Sequence, residues 1–98
     1  MLKIPIYKPQ FGKEEIEAVV KVMKTGNLAM GEEVEKFEQE FAKYLGAKYV
    51  VAVNSCTSAL LLSLYCSYEK QIEVPSCTFV SVANMVIRTG KMIKFTDD

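Results

Sequence analysis

Hydrophobic residues recur at helical spacing in the first half of the chain. Between Lys13 and Lys24 they occur every three or four positions, as expected for a helix with one apolar face. Glu14 and Glu15 stand in its first turn, where the positive end of the helix dipole favours acidic side chains. A second helix is predicted to end at Gly46, a residue type common just after a helix. The apolar face of this second helix comprises Val34, Phe37, Phe41, Tyr44 and Leu45.

The second half of the chain alternates between strand patterns and helix patterns. Short apolar runs at 49–53, 72–74 and 92–95 are typical of buried strands. Helices are predicted between them, over residues 58–68 and 78–88. Strands and helices that alternate with short connections favour a parallel sheet. We therefore predict an α/β fold with a three-stranded parallel sheet and helices.

These elements fit one small domain, because 98 residues can form a single hydrophobic core. We predict a lead-in arm over 1–12, two helices over 13–46, and a strand–helix–strand–helix–strand unit over 47–98. Parallel sheets are normally wider than three strands and are covered on both faces. The chain 1–98 is therefore expected to be a single partial domain. Its uncovered sheet edges and apolar helix faces predict self-association.

Composition narrows the possible functions without naming one. The chain is 50% hydrophobic and 24% charged with a formal net charge of +0, so nothing predicts nucleic-acid binding. It has no run long enough to span a membrane and no signal-peptide pattern, so we expect a soluble, cytoplasmic protein. The chain lacks histidine, and its cysteines lack the spacing of a zinc site. We therefore expect neither a metal site nor a disulfide framework around Cys56, Cys66 and Cys77.

A polar turn after the first predicted strand is the clearest candidate for chemistry. Ligands of open α/β sheets bind at the carboxyl ends of the strands, where this turn lies. The first N–H groups of the following helix have no partner within the helix and can bind a phosphate. Ser55 or Thr57 can also be a simple helix cap, and the turn lacks the glycine pattern of known phosphate loops. Taken alone, the turn favours the capping interpretation.

Short motifs occur in a specific order along almost the whole chain. They lie at 4–9, 26–31, 41–47, 51–55, 56–60, 74–80, 83–84 and 95–97. In this order the chain resembles the DegT/DnrJ/EryC1/StrS family of sugar aminotransferases, which depend on pyridoxal phosphate (PLP). Each motif is weak alone, but their common register is specific. The resemblance implies the N-terminal part of the large domain of a PLP-dependent transferase, of the aspartate-aminotransferase-like fold type I.

The resemblance also implies a PLP site in this chain. Thr57 and Ser58 match the positions whose backbone and hydroxyl groups hold the PLP phosphate in the family. Phe79 matches the position where an aromatic ring stacks on the pyridine, although the pattern alone suggests a core residue. Cys56 stands where the family often has glycine, and we expect this small residue to preserve the cofactor-binding turn.

A second, weaker candidate is the loop between the first two helices. Asn27, Leu28 and Met30 match a family loop that approaches the substrate or a neighbouring subunit's active site. The residues alone indicate an ordinary connection between helices. Ala29 and Met30 replace residues that are often hydroxylated in the family. The segment 65–71 is also shorter than usual and lacks the family's glycine-rich turn.

The resemblance implies catalytic groups that this sequence does not provide. A PLP aminotransferase needs a lysine to form a Schiff base and a carboxylate against the pyridine nitrogen. In the family both lie well downstream of the matched region. We expect the lysines of this chain to be solvated surface charges. We therefore assign no catalytic residue to it and expect the chain alone to be inactive.

Three functional hypotheses follow. The chain is an N-terminal fragment of a PLP-dependent aminotransferase that acts on nucleotide-linked keto-sugars, in amino-sugar or cell-surface polysaccharide biosynthesis, with glutamate as the usual amino donor. Alternatively, it is a fragment of a PLP-dependent sugar dehydratase. A third hypothesis is a non-catalytic α/β interaction module, or one half of a split enzyme. The expected partners are a second copy of the chain or a complementary C-terminal chain, with the nucleotide sugar implied by the resemblance.

Overall fold

The computed structural model describes residues 4–5 and 7–97, and this part contains four helices and two strands. The chain divides into two compact units, Met1–Val50 and Val51–Asp98. Residues 4–5 and 7–12 of the predicted lead-in arm form neither helix nor strand, and the rest of the arm lies outside the described residues. The elements are α1 (Lys13–Thr25), α2 (Glu32–Leu45), α3 (Cys56–Cys66), β1 (Gln71–Pro75), α4 (Ser81–Arg88) and β2 (Met92–Thr96).

The first unit contains α1 and α2, both close to the bounds that the hydrophobic pattern predicts. At the start of α1, the Gly12 N–H donates to the Glu15 carboxylate over 2.6 Å. Both helices end at a glycine in the left-handed region, Gly26 with φ 73° and Gly46 with φ 65°. A side chain with a Cβ atom rarely adopts this conformation, so glycine is the residue that ends a helix this way.

Aromatic side chains form a row along one face of α2. The ring centroids of Phe37 and Phe41 are 5.5 Å apart, and those of Phe41 and Tyr44 are 6.2 Å apart. All three side chains are exposed, as are the apolar residues Ile16, Val19, Val20 and Met23 of α1. The apolar faces that the sequence predicts are therefore present, and solvent reaches them.

The second unit is built on two parallel strands. β1 pairs with β2 in a register that places Gln71 opposite Met92 and Pro75 opposite Thr96. Beyond the ladder, the Met92 N–H donates to the Lys70 carbonyl at 2.8 Å, and the Ser76 N–H donates to the Thr96 carbonyl at 2.7 Å. Helix α4 connects the two strands. The prediction of a parallel α/β arrangement is confirmed for these two strands.

The predicted strand at 49–53 is wrong. In the described part of the chain the sheet has two strands, and β1 is paired with β2 alone. Tyr49 and Val51 are 77% and 74% exposed. A continuous apolar run indicates a tendency to be buried, but a strand also needs a neighbour for its backbone hydrogen bonds. Among residues 4–5 and 7–97 no strand pairs with this segment, which lies outside the sheet of β1 and β2.

The buried core of the second unit is small. The buried hydrophobic residues of the described chain are Val74 of β1 together with Met85 and Val86 of α4. Helix α4 packs against both strands and against α3. Burying one such side chain contributes about 1.5–3 kcal/mol, so three of them give a thin core. Polar contacts therefore matter more than usual for the stability of this unit.

One such polar contact joins the start of β2 to the connection between α3 and β1. The Lys91 Nζ donates to the Ser67 carbonyl at 2.8 Å and to the Glu69 carbonyl at 2.7 Å. The Lys91 side chain is half-buried, so the expectation of a solvated surface charge is wrong for this lysine. The connection at 67–70 is short and contains no glycine, and the Lys91 ammonium group holds it in place.

Candidate functional site

The candidate turn lies at the start of α3 in the second unit. Ser55 is the residue that caps α3, with an extended backbone of φ −161° and ψ 154°. Its side-chain oxygen accepts a hydrogen bond from the Ser58 N–H at 3.1 Å. Such a bond satisfies one of the N–H groups that a helix start leaves without a partner. The structure therefore assigns the capping role to Ser55, whereas Thr57 lies within the first turn.

Side-chain hydrogen bonds tie the two serines of the turn to Asn54. The Ser58 hydroxyl donates to the Asn54 Oδ1 at 2.8 Å, and the Ser55 and Ser58 hydroxyl oxygens are 2.9 Å apart. A hydroxyl group has one proton to donate. Because the Ser58 proton goes to Asn54, the proton between the two serines comes from Ser55. Both serine protons are thus used inside the turn.

Two backbone donors in this turn remain unused. Among the described residues, the N–H groups of Cys56 and Thr57 have no acceptor, whereas the Ala59 N–H donates to the Ser55 carbonyl at 3.1 Å. The Thr57 hydroxyl likewise has no partner in that part of the chain. The positive end of the helix dipole lies at the same place. Two N–H groups and a hydroxyl beside small side chains fit a phosphate group.

Phe79 lies in the segment 76–80, which leads from β1 into α4. Its side chain is 74% exposed, so the plain-core interpretation of this residue is wrong. Helix α4 packs against α3, the helix that starts at the candidate turn. An exposed ring can stack on a flat group such as a pyridine. No hydrogen bond or ring contact between described residues links Phe79 to Thr57, so their joint contact with one ligand is part of the proposal below.

The loop between α1 and α2 borders a groove in the first unit. Asn27 and Leu28 line this groove, which has a volume of about 750 Å³, and Met30 is not part of its lining. The Asn27 N–H donates to the Thr25 hydroxyl at 3.2 Å, which holds the start of the loop against the end of α1. Leu28 and Met30 are both 73% exposed. The structure thus places two of the three candidate residues at a groove.

Three lysines have partners away from the candidate turn. Lys91 binds backbone carbonyls, and the Lys94 Nζ lies 2.6 Å from the Glu73 carboxylate. The Lys36 Nζ lies 2.8 Å from Glu33, and this hydrogen bond is the main cause that lowers the pKa of Glu33 and raises the pKa of Lys36. In these contacts the three ammonium groups bind backbone carbonyls or carboxylates that lie outside the candidate turn.

A metal site and a membrane-spanning helix each require a recognisable arrangement of residues. Over the described residues, no group of three or more cysteine, aspartate or glutamate side chains is placed to hold a metal ion. None of the helices in the part of the chain that the structure describes is long and apolar enough to cross a membrane.

Comparison with known proteins identifies the family. The chain matches the DegT/DnrJ/EryC1/StrS aminotransferase family over residues 9–97, and it therefore belongs to this family. It is similar to the spore coat polysaccharide biosynthesis protein SpsC of Bacillus subtilis, with 42% identity over 97 residues. That match covers 96% of this chain and 25% of SpsC, so the chain spans about a quarter of the length of this relative.

Solved structures of enzymes that modify sugars share the fold. The chain is similar to the E. coli GDP-4-keto-6-deoxy-D-mannose-3-dehydratase with bound hydrated PLP, with a TM-score of 0.84, 27% identity, and coverage of 99% of this chain and 27% of that one. It is also similar to Helicobacter pylori PseC, an aminotransferase involved in the biosynthesis of pseudoaminic acid, with a TM-score of 0.80 and 32% identity. This match covers 90% of the chain and 25% of PseC. The predicted family is confirmed, and the E. coli dehydratase structure contains bound PLP.

Proposed function

We propose that this chain forms the phosphate-binding segment of a PLP-dependent aminotransferase that acts on nucleotide-linked keto-sugars. The observation that carries the proposal is the pair of unused N–H groups of Cys56 and Thr57 at the start of α3. Family membership supports the cofactor, and the SpsC and PseC relatives support a role in the biosynthesis of polysaccharides or amino sugars.

Each residue of the site has a distinct role in this proposal. The N–H groups of Cys56 and Thr57 and the Thr57 hydroxyl bind the phosphate of the cofactor, and the helix dipole adds to the attraction. The exposed ring of Phe79 stacks on the pyridine and fixes its plane. When bound, PLP supplies an electron sink for bond breaking at the carbon that carries the amino group. The residues of this chain bind and orient the cofactor, and the chain alone transfers no amino group.

The keto-sugar substrate, the glutamate donor and the partners belong to the activity of the whole protein. Asn27 and Leu28 at the groove of the first unit are the proposed substrate contacts, because they line a cavity of suitable size. The exposed aromatic face of α2 supports association with a second copy or a complementary chain. The three free cysteines support a reducing compartment such as the cytoplasm.

A second candidate function is sugar dehydration. The similarity to the E. coli dehydratase, with its TM-score of 0.84, supports this alternative. Both functions use the same cofactor site, so cofactor binding cannot separate them. They differ in the product, because an aminotransferase adds nitrogen to the sugar and a dehydratase removes water from it. Mass spectrometry of a nucleotide keto-sugar incubated with the whole protein, glutamate and PLP distinguishes these two mass changes.

Binding of pyridoxamine phosphate tests the cofactor site directly. This form of the cofactor has no aldehyde, so it cannot react with surface lysines. Isothermal titration calorimetry should show saturable binding to the purified chain. Thr57→Ala should weaken it about tenfold, since one hydrogen bond to a charged group is lost. Phe79→Ala should weaken it about fivefold through the loss of stacking, worth about 1 kcal/mol.

Ser63→Ala provides a matched control on the same helix, because Ser63 is exposed and lies beyond the first turn of α3. This variant should bind with the affinity of the original chain. Binding that survives both Thr57→Ala and Phe79→Ala unchanged would rule out the proposed site. An absence of saturable binding would leave the interaction module as the better hypothesis.

A further inference from the structure

The hydrogen bonds around Asn54 determine which groups of the turn can face a phosphate. The Ser58 hydroxyl donates to the Asn54 Oδ1 at 2.8 Å, and a serine has no second proton to offer. The Ser55 proton is used in its 2.9 Å contact with Ser58. A phosphate that approaches α3 therefore meets lone pairs, not protons, on these two serine oxygens. An acceptor that faces a phosphate oxygen forms no hydrogen bond with it, so neither serine oxygen is a phosphate contact in this arrangement.

We propose that Asn54 is a positioning residue that limits the number of donors in the phosphate site. This inference rests on the proposed function and deepens it. By accepting the Ser58 proton, Asn54 leaves the N–H groups of Cys56 and Thr57 and the Thr57 hydroxyl as the donors for phosphate. The family resemblance implies that the hydroxyl groups of Thr57 and Ser58 both contact the phosphate. We assign this contact to the Thr57 hydroxyl alone. Asn54 thus acts through Ser58 and does not touch the ligand.

Removal of the Asn54 side chain should then increase the affinity for a phosphate ligand and not reduce it. In Asn54→Ala the Ser58 hydroxyl loses the Asn54 acceptor, and because Ser55 donates in its contact with Ser58, the Ser58 proton is free to turn toward a bound phosphate. One additional hydrogen bond to a charged group should tighten binding by up to about tenfold. A merely structural role of Asn54 predicts the opposite, because a loosened turn binds less well. An increase in affinity therefore indicates a positioning role for Asn54, whereas a decrease indicates a merely structural role.

The experiment compares four forms of the chain: the original, Asn54→Ala, Ser58→Ala and the double variant. Each is titrated with pyridoxamine phosphate and with pyridoxamine, which lacks the phosphate group. The ratio of the two affinities reports on phosphate contacts alone. Circular dichroism spectra of all four forms provide the control for folding. Thr57→Ala provides the reference for the loss of a direct phosphate contact.

The proposal predicts a higher affinity ratio for Asn54→Ala and no loss for Ser58→Ala, in which no phosphate contact is removed and the Ser55 hydroxyl loses its acceptor. The double variant should match the ratio of Ser58→Ala, because Asn54 acts only through the Ser58 hydroxyl. An unchanged or lower ratio for Asn54→Ala overturns the inference while leaving the phosphate site intact. A loss in Ser58→Ala as large as that in Thr57→Ala overturns it as well. If the original chain binds pyridoxamine phosphate no better than pyridoxamine, the proposed function fails and this inference fails with it.

Discussion

Lys91 allows a quantitative test of how the second unit is held together. Its ammonium group donates to the carbonyls of Ser67 and Glu69, at 2.8 and 2.7 Å. These carbonyls lie in the connection between α3 and β1, whereas Lys91 immediately precedes β2. The substitution Lys91→Met keeps an unbranched apolar side chain of similar length and removes both donors. The expected result is a loss of stability without a change of fold.

The size of the loss follows from the two hydrogen bonds. A hydrogen bond with a charged partner contributes about 1.5–3 kcal/mol in a protected setting. Lys91 is only half-buried, so water replaces part of each bond when the ammonium group is removed. We therefore expect the two bonds together to be worth about 2 kcal/mol. Small domains are stable by only about 5–15 kcal/mol, so this is a large share of the total.

Lys94→Met provides the matched control on the same strand. The Lys94 Nζ lies 2.6 Å from Glu73, but the two side chains are 56% and 61% exposed. Exposed ion pairs contribute about 0–1 kcal/mol because water and salt screen them. The control removes a lysine of the same length and charge, and it breaks an even shorter contact. Any difference between the two variants therefore comes from burial and from the backbone partners.

Urea denaturation followed by circular dichroism measures both variants. With a slope of about 1–2 kcal/mol per molar urea for a chain of this size, Lys91→Met should lower the midpoint by about 1–2 M. Lys94→Met should lower it by about 0.5 M or less. Equal shifts for the two variants would refute the argument that Lys91 ties the connection to β2.

Two further predictions concern the helices. Because the hydrogen bond from Lys36 lowers the pKa of Glu33, the stabilisation that this pair gives α2 is present near neutral pH and disappears as the pH falls through the lowered pKa. Helical content measured by circular dichroism should therefore decline in acid more steeply in the original chain than in Lys36→Met. Val86→Ala in α4 should cost about 2 kcal/mol in urea denaturation, because Val86 is 1% exposed, whereas Ile87→Ala, at a position 62% exposed, should cost much less.

The helices could be predicted from the sequence because their signals are local. Apolar periodicity and the glycines that follow α1 and α2 give both helices almost to the residue. Helix α3 starts at Cys56, before the predicted start at 58, because Ser55 caps it. Helix α4 starts at Ser81, after the predicted start at 78, because the residues that follow β1 form bends.

The errors arise where distant parts of the chain decide the structure. The apolar run at 49–53 looks like a strand, but strand formation depends on a neighbour that no local pattern reveals. Lys91 reaches carbonyls 24 and 22 residues away, and such a contact leaves no periodic signal. A polar residue four positions before a helical serine indicates a possible contact between Asn54 and Ser58, yet the direction of proton donation follows only from the structure.

Part of the candidate site could likewise be predicted from the sequence. Thr57 and Phe79 could be found from the register of family motifs, and the structure places Thr57 in the first turn of a helix and leaves Phe79 exposed. The capping role of Ser55 was one of two possibilities in the sequence. The two unused N–H groups could be counted only once the cap was known, because a cap at Thr57 would place the unused donors two residues later.

The proposed function depends on binding of the phosphate of a PLP-type cofactor at the first turn of α3. The most direct measurement is a titration of the ¹⁵N-labelled chain with pyridoxamine phosphate, followed by two-dimensional NMR of the backbone amides. We expect saturable shifts that are largest for the N–H signals of Cys56 and Thr57, with Phe79 also affected. Pyridoxamine without phosphate should move the first two signals much less. Saturable shifts that leave Cys56 and Thr57 in place, or no saturable shifts at all, would show that the phosphate does not bind at this turn.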